Sequence, residues 1–246
     1  MHYKLTIEYD GTRYCGMQRQ FGIVQKSIEE VVEKAIFSLA QEEVRIISSG
    51  RTDAGVHALG QVVNFTLQKK FSEHTMVAGL NNYLREEDVA ILSCELVDEN
   101  FHARFLSKKR HYRYRIINRY PQLVLEKNRA WQVARDLDIK AMRQAAECLI
   151  GQHDFSSFRD SECQSSQPIK TLDKIEITQI GEEIRIDFSA KSFLHHMVRN
   201  IVGTLVYVGI GKIGAEEMKN ILEAKDRTKS GPNAPACGLY FMGVDY

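Results

Sequence analysis

Only four prolines occur in 246 residues, and no low-complexity stretch accompanies them, which leaves little room for a disordered linker. The cysteines number five, an odd count at wide and irregular spacing, with no CxxC pair. That pattern excludes a disulfide framework and gives no zinc-ligand spacing, so Cys15, Cys94, Cys148, Cys163 and Cys237 read as free thiols, and no metal is expected. Excess charge is also missing. The 33 Lys and Arg nearly balance the 32 Asp and Glu, for a formal charge of +1, so any polyanionic partner must be met by a local patch rather than by the net field. No long apolar run exists either: the richest stretch, Phe193 to Ile213, is interrupted by His195, His196, Arg199, Asn200 and Lys212, which argues against a membrane span. The opening MHYKLTIEYDG alternates polar and apolar residues and lacks the pattern of an export signal, so a cytoplasmic location is expected.

What is present is a mixed α/β pattern of ordinary hydrophobic and charged content, 43% and 26%. Tyr3, Leu5, Ile7 and Tyr9 alternate as in a half-buried strand, and Val24, Ile28, Val31, Val32, Ala35 and Leu39 then recur at helical spacing up to Ala40. Strands are expected at 44–49 and 61–67, a helix at 75–84 and a strand at 89–97, an order that fits a ferredoxin-like α+β unit. The second half repeats it loosely: a strand at 112–117, a helix at 139–150, strands at 172–179 and 184–190, a long helix from about Ser192, a shorter one at 215–224 and a last strand at 239–244. The expected division is 1–105 and 106–246, with a cleft between two similar halves.

Two stretches resemble phosphate-site motifs and fail on context. IEYDGT at Ile7–Thr12 has Glu8 where an aspartate-nucleophile phosphatase needs Asp, so Asp10-Gly11 reads as a strand-ending turn. GIGKIG at Gly209–Gly214 follows a helical pattern rather than a strand and reads as a helix-terminating loop.

Other residues are left with two readings. From Asn100 to Leu125 there is no acidic residue, while Arg104, Lys108, Lys109, Arg110, Arg113, Arg115 and Arg119 all occur. On a strand, Lys109, His111, Arg113 and Arg115 would face one side and Arg110, Tyr112, Tyr114 and Ile116 the other. Cations interleaved with aromatic rings suit a nucleic acid, and a solvated strand face over core tyrosines suits the same pattern. The adjacent His195 and His196, placed about 100° apart on a helix, read as structural, whereas Arg199 in an apolar helix needs an acidic partner. His57 and His153 read equally as bases or as structural hydrogen-bonders. SSGRTDAGVHALG, Ser48 to Gly60, concentrates Arg51, Asp53 and His57 in a glycine-flanked turn.

SSGRTDAGVHALGQVVNF closely resembles the signature of the A family of tRNA pseudouridine synthases. The likeness extends through YDGTRY, GMQRQ, ARF at Ala103, HYRYRI at His111, GQHDFSSF at Gly151, FLHHMVRNIVGTL at Phe193 and APACGLYFMGVDY at Ala234. It implies a pseudouridine synthase fold: an α/β (α+β) architecture whose central antiparallel sheet comes from two ferredoxin-like halves, with helices packed on it. It also implies a homodimer that grips tRNA and isomerises uridine in the anticodon stem-loop, typically at positions 38, 39 and 40, without cofactor or metal. On that match Asp53 is the catalytic carboxylate. Arg51 lies beside the target nucleotide, Tyr112 stacks on its base, and Arg199 pairs with the aspartate, while Arg110, Arg113 and Arg115 fall in the RNA-binding segment. The sequence departs from the family at Cys15, Met17, Leu106 and Lys170, which bears on the choice of RNA. A paralogue acting on another RNA, and a catalytically silent RNA-binding or RNA-folding module, stand as alternatives.

Overall fold

The computed structural model describes residues 1–20, 22–160, 163 and 167–246. In chain order the elements are β1 (His2–Tyr9), α1 (Ile28–Ala40), β2 (Ile47–Ser48), β3 (His57–Thr66), α2 (Glu73–Tyr83), β4 (Val89–Leu96), β5 (Lys109–Asn118), β6 (Trp131–Val133), α3 (Ile139–Glu147), β7 (Gly151–Asp154), β8 (Ile169–Ile180), β9 (Glu183–Ala190), α4 (Met197–Gly209), α5 (Glu217–Ala224) and β10 (Leu239–Asp245). They divide into two compact units, Met1–Lys108 with Tyr240–Tyr246, and Lys109–Leu239.

In the first unit the alternation of β1 does what its pattern requires: Tyr3, Leu5, Ile7 and Tyr9 are buried and their neighbours are not. β1 lies between β3 and β4, antiparallel to both, and β2 joins the free edge of β3 at Asn64 and Val63. The order β4-β1-β3-β2 is that of a ferredoxin-like unit. At the other end of that edge β10 runs parallel to β3, pairing Tyr240 with His57 and Phe241 with Ala58. α1 packs on α2, and α2 on β4.

α1 starts later than its apolar spacing suggests. Val24 is fully exposed, and the helix opens only at Ile28, where Ser27 and Glu30 form a reciprocal capping box that satisfies the first amides. The strand expected at 44–49 shrinks to β2, because only Ile47 and Ser48 pair with β3.

In the second unit the order is β5-β9-β8-β7, antiparallel throughout, with β6 parallel to the other edge of β5. α3 packs against α4 and β8, and α4 is buried along most of its length. α4 corrects the expected start near Ser192. It begins at Met197, because His196 adopts φ 59°, a left-handed conformation that a helix interior does not admit. His195 and His196 therefore precede the helix, and their rings lie 3.9 Å apart rather than diverging.

Candidate active site

Asp53 and Arg51 belong to the first unit. Across the approach to the turn burial alternates: Ser49 is buried, Arg51 is exposed, Thr52 is buried and Asp53 is half-exposed. The carboxylate is thus neither sunk in the core nor fully solvated. Asp53 makes an isolated antiparallel bridge with Gly16, and its carbonyl accepts from the amide of Val56 at 3.2 Å, closing the turn. Gly16 sits at φ 110°, and a Cβ there would lie 2.6 Å from the Thr52 carbonyl, so the 15–17 segment passes against the turn only as glycine. Gly55, at φ 77°, bends the chain back towards β3.

Beneath the turn lies a set of buried polar side chains. The Tyr9 hydroxyl is 2.7 Å from Thr52 Oγ1, and Gln61 accepts from Ser49 Oγ at 2.6 Å while donating to the Gly50 carbonyl at 2.9 Å. Burial pushes the Tyr9 phenol up to about 12, against partial offsets from Thr52 and Gln61, so it stays protonated at neutral pH. The sequence reading missed Tyr9, Thr52 and Gln61. A signal existed in Gln61, an amide inside an apolar strand, which must find partners when buried.

His57 is structural. Its ring is buried, stacks on Tyr240 at 4.7 Å and accepts the Gly11 amide on Nδ1 at 3.1 Å. Asp10 Oδ1 lies 3.2 Å from that same nitrogen. Asp10 itself caps a short turn through the amide and hydroxyl of Thr12, which is the strand-ending role read from the sequence.

Beside the turn, Arg19 of GMQRQ is fixed to α1. Its amide donates to Glu29 at 3.0 Å, its Nη2 donates to Glu33 at 3.0 Å, and Arg45 reaches the same Glu33 at 3.1 Å. Burial raises the Glu29 carboxyl, and Arg19 and Arg51 pull it back.

The remaining candidates belong to the second unit. β5 alternates as expected, with Tyr112, Tyr114 and Ile116 buried and the intervening residues half-exposed. Tyr112 meets Phe193 edge to face at 5.1 Å. The basic side of the strand is matched by acids that the isolated sequence could not place. Arg113 is bidentate to Asp187 at 2.8 and 3.2 Å, Arg115 pairs with Glu183 at 2.6 Å and Glu126 at 2.9 Å, and Lys109 pairs with Asp173 at 3.2 Å. Arg110 donates from Nη1 to the Lys191 carbonyl.

Arg199 lies in the first turn of α4. Its Nε donates to the Ala234 carbonyl at 2.7 Å, and the Ala234 amide donates back to the Arg199 carbonyl at 3.2 Å. Its charge draws the Tyr114 phenol and the Cys237 thiol downward against a larger upward push from burial. One turn earlier, His196 Nδ1 is 2.6 Å from Asp160, which fixes the imidazole at the helix start.

Residues 5–106 and 145–246 match the family described as tRNA pseudouridine synthase. Arg51, Asp53 and Arg199 fall within the matched segments, and Arg110, Tyr112, Arg113 and Arg115 fall between them. Over full length the chain is similar to a protein named tRNA pseudouridine synthase A from Anaplasma phagocytophilum, 49% identical across 100% of both chains. Its similarity to the protein of the same name from Afipia carboxidovorans is also 49%, across 99% of each. Among solved structures, a chain of a Cbf5–Nop10–Gar1 complex is similar at a TM-score of 0.33 and 11% identity over 82% of this chain and 54% of that one.

Proposed function

This chain belongs to the tRNA pseudouridine synthase family and is an isomerase of uridine in tRNA, and we propose that Asp53 is the carboxylate that performs the reaction. The observation that carries the assignment is the turn itself, which holds one half-exposed carboxylate beside an exposed arginine over a buried polar floor.

The chemistry needs such a group. The bond from uracil N1 to the ribose breaks, the base turns while retained, and C5 joins the same sugar carbon; the C5 proton is lost and N1 gains one. Atoms and oxidation state are conserved. An ionised carboxylate can attack the base or the sugar, or remove a sugar proton to allow elimination, and each route requires a uridine extruded from its stack. Extrusion costs a few kcal/mol, and a ring stacked on the flipped base returns about 1–3 kcal/mol. Tyr112 is assigned that stacking role and Arg51 the phosphate or ribose beside the target. Arg199 is the cation that keeps the carboxylate ionised, an assignment that rests on the family pattern. Arg110, Arg113 and Arg115 are assigned to the RNA-binding segment, with Arg113 and Arg115 held by Asp187 and Glu183.

The target is uridine of the anticodon stem-loop at positions 38, 39 and 40, the enzyme is a homodimer, and it works in the cytoplasm. Asp53→Asn is expected to abolish pseudouridine formation in a tRNA transcript while leaving tRNA affinity nearly unchanged; a variant of normal activity overturns the assignment. Site-resolved mapping of tRNA from cells with and without the gene tests the positions, and light scattering of the purified protein tests the dimer.

A further inference from the structure

A carboxylate on a surface turn is useful only if its direction is fixed, and the side chain that points the opposite way from Asp53 is Thr52. Thr52 is held at two places. Its carbonyl accepts the Met17 amide at 3.0 Å and its hydroxyl meets the Tyr9 hydroxyl at 2.7 Å, and a Cβ on Gly16 would stand 2.6 Å from that same carbonyl, so only glycine lets the neighbouring chain pass this close. The approach to the turn is pinned separately, through Gln61, by Ser49 and the Gly50 carbonyl. All four side chains of this floor are nine-tenths or more buried: Tyr9 is 4% exposed, Thr52 7%, Ser49 0% and Gln61 0%. A buried hydroxyl pair is expensive to leave half made, so it holds its geometry against thermal motion more firmly than apolar packing of the same shape.

We propose that the Tyr9–Thr52 hydroxyl pair, braced by Gln61, is the positioning device of the catalytic turn: by anchoring Thr52 inward it turns Arg51 and Asp53 outward and fixes the carboxylate for attack. Tyr9 and Thr52 are positioning residues, since neither side chain is itself offered to substrate. The proposal rests on the assignment of Asp53 as the reacting group. Burial keeps the Tyr9 phenol protonated, with its pKa pushed up to about 12, so the pair persists unchanged across the working range of pH.

Five variants of the full-length enzyme test it, assayed for single-turnover pseudouridine formation, tRNA affinity and thermal unfolding. Thr52→Val keeps the shape and deletes the hydroxyl; Thr52→Ser keeps the hydroxyl. Tyr9→Phe deletes one oxygen from the other side of the pair. Thr52→Val and Tyr9→Phe are each expected to slow the chemical step about 10- to 100-fold, as small misplacements of a reacting group do. Affinity for tRNA should stay within about twofold, and Thr52→Ser should recover most of the rate. The Tyr9→Phe/Thr52→Val double variant should be no slower than the slower single one, because both changes remove the same bond. Asp53→Asn separates the two ideas. If it is inactive while Thr52→Val and Tyr9→Phe both react at the wild-type rate, the positioning role fails and the carboxylate assignment stands; if Asp53→Asn is active, the assignment itself fails. A loss of rate in Thr52→Val that Thr52→Ser does not recover also overturns the positioning role. Should Thr52→Val fold poorly, Tyr9→Phe alone decides: slowed chemistry with intact affinity supports the device, and an unchanged rate or a loss of affinity equal to the loss of rate overturns it.

Discussion

At the scale of single residues, Gly203 of the second unit sits under an unusually close contact. A Cβ on it would stand 1.7 Å from the Pro232 carbonyl, so the 231–234 segment lies directly on the α4 backbone, and the Gly231 amide donates to Thr204 Oγ1 at 2.8 Å in the same contact. Ala234, at the end of that segment, exchanges hydrogen bonds with Arg199. Gly203→Ala should therefore do two things. Overpacking should cost about 1–3 kcal/mol in a urea titration, and the displaced segment should release Arg199, so pseudouridine formation should fall by more than the folded fraction does. An activity loss that merely tracks unfolding would show that the segment does not set the arginine. The candidate site was partly legible at this scale: glycines around RTD announced a turn, and in it Arg51 is exposed and Asp53 half-exposed. The floor beneath it was not, because Tyr9 and Thr52 meet only after β1 and β3 have paired, and no local pattern encodes that meeting.

At the scale of elements, strand periodicity was the most readable feature. β1 follows its alternation throughout and β9 as far as Phe188, whereas β4 loses it where its register with β1 shifts, so that Ile91 and Cys94 are both buried. Helix starts were less readable because they depend on caps rather than on apolar spacing. Val24 lies in phase with α1 yet stays outside it, and the Ser27–Glu30 capping box, visible as SIEE, was the better signal. α4 gave no such signal, since its start is set by a positive φ at His196. β6 and β7, of three and four residues, are too short to show a periodicity. The pairing of β5 with β9 carries an electrostatic consequence. Arg185 and Arg115 hold the Glu183 carboxyl down, from 4.5 to about 2, despite its burial. A lowered folded pKa stabilises the fold above the unfolded value and loses that contribution as pH falls through the folded one. Relative to Glu183→Gln, the wild type should be more stable by about 1–3 kcal/mol at pH 7. That difference should shrink below pH 4.5 and vanish near pH 2, measured by urea unfolding of both proteins across the range. A constant difference would place the stabilisation in packing instead.

At the scale of the whole molecule, a formal charge of +1 gives tRNA little long-range attraction, so binding rests on where cations stand. The sequence concentrates them between Asn100 and Leu125, and folding then sets acids from other strands opposite several of them. The arginines of β5 are thus not equivalent. Arg110→Gln removes a cation that donates to the Lys191 carbonyl, and it should weaken tRNA binding while lowering the slope of log affinity against log salt by about one. Arg113→Gln instead leaves Asp187 without its bidentate partner, so it should change stability more than the salt slope. Equal slopes for the two variants would show that Arg113 gives up its carboxylate on meeting RNA.

The placement of β10 reaches further than its two paired residues suggest. Tyr240–Tyr246 belongs to the unit that begins at Met1, and Tyr240 lies against His57, four positions beyond Asp53. The unit that carries Asp53 is therefore discontinuous in sequence, with residues 109–239 intervening before the strand that completes it. A pairing between segments so far apart closes a long loop, which slows its formation during folding.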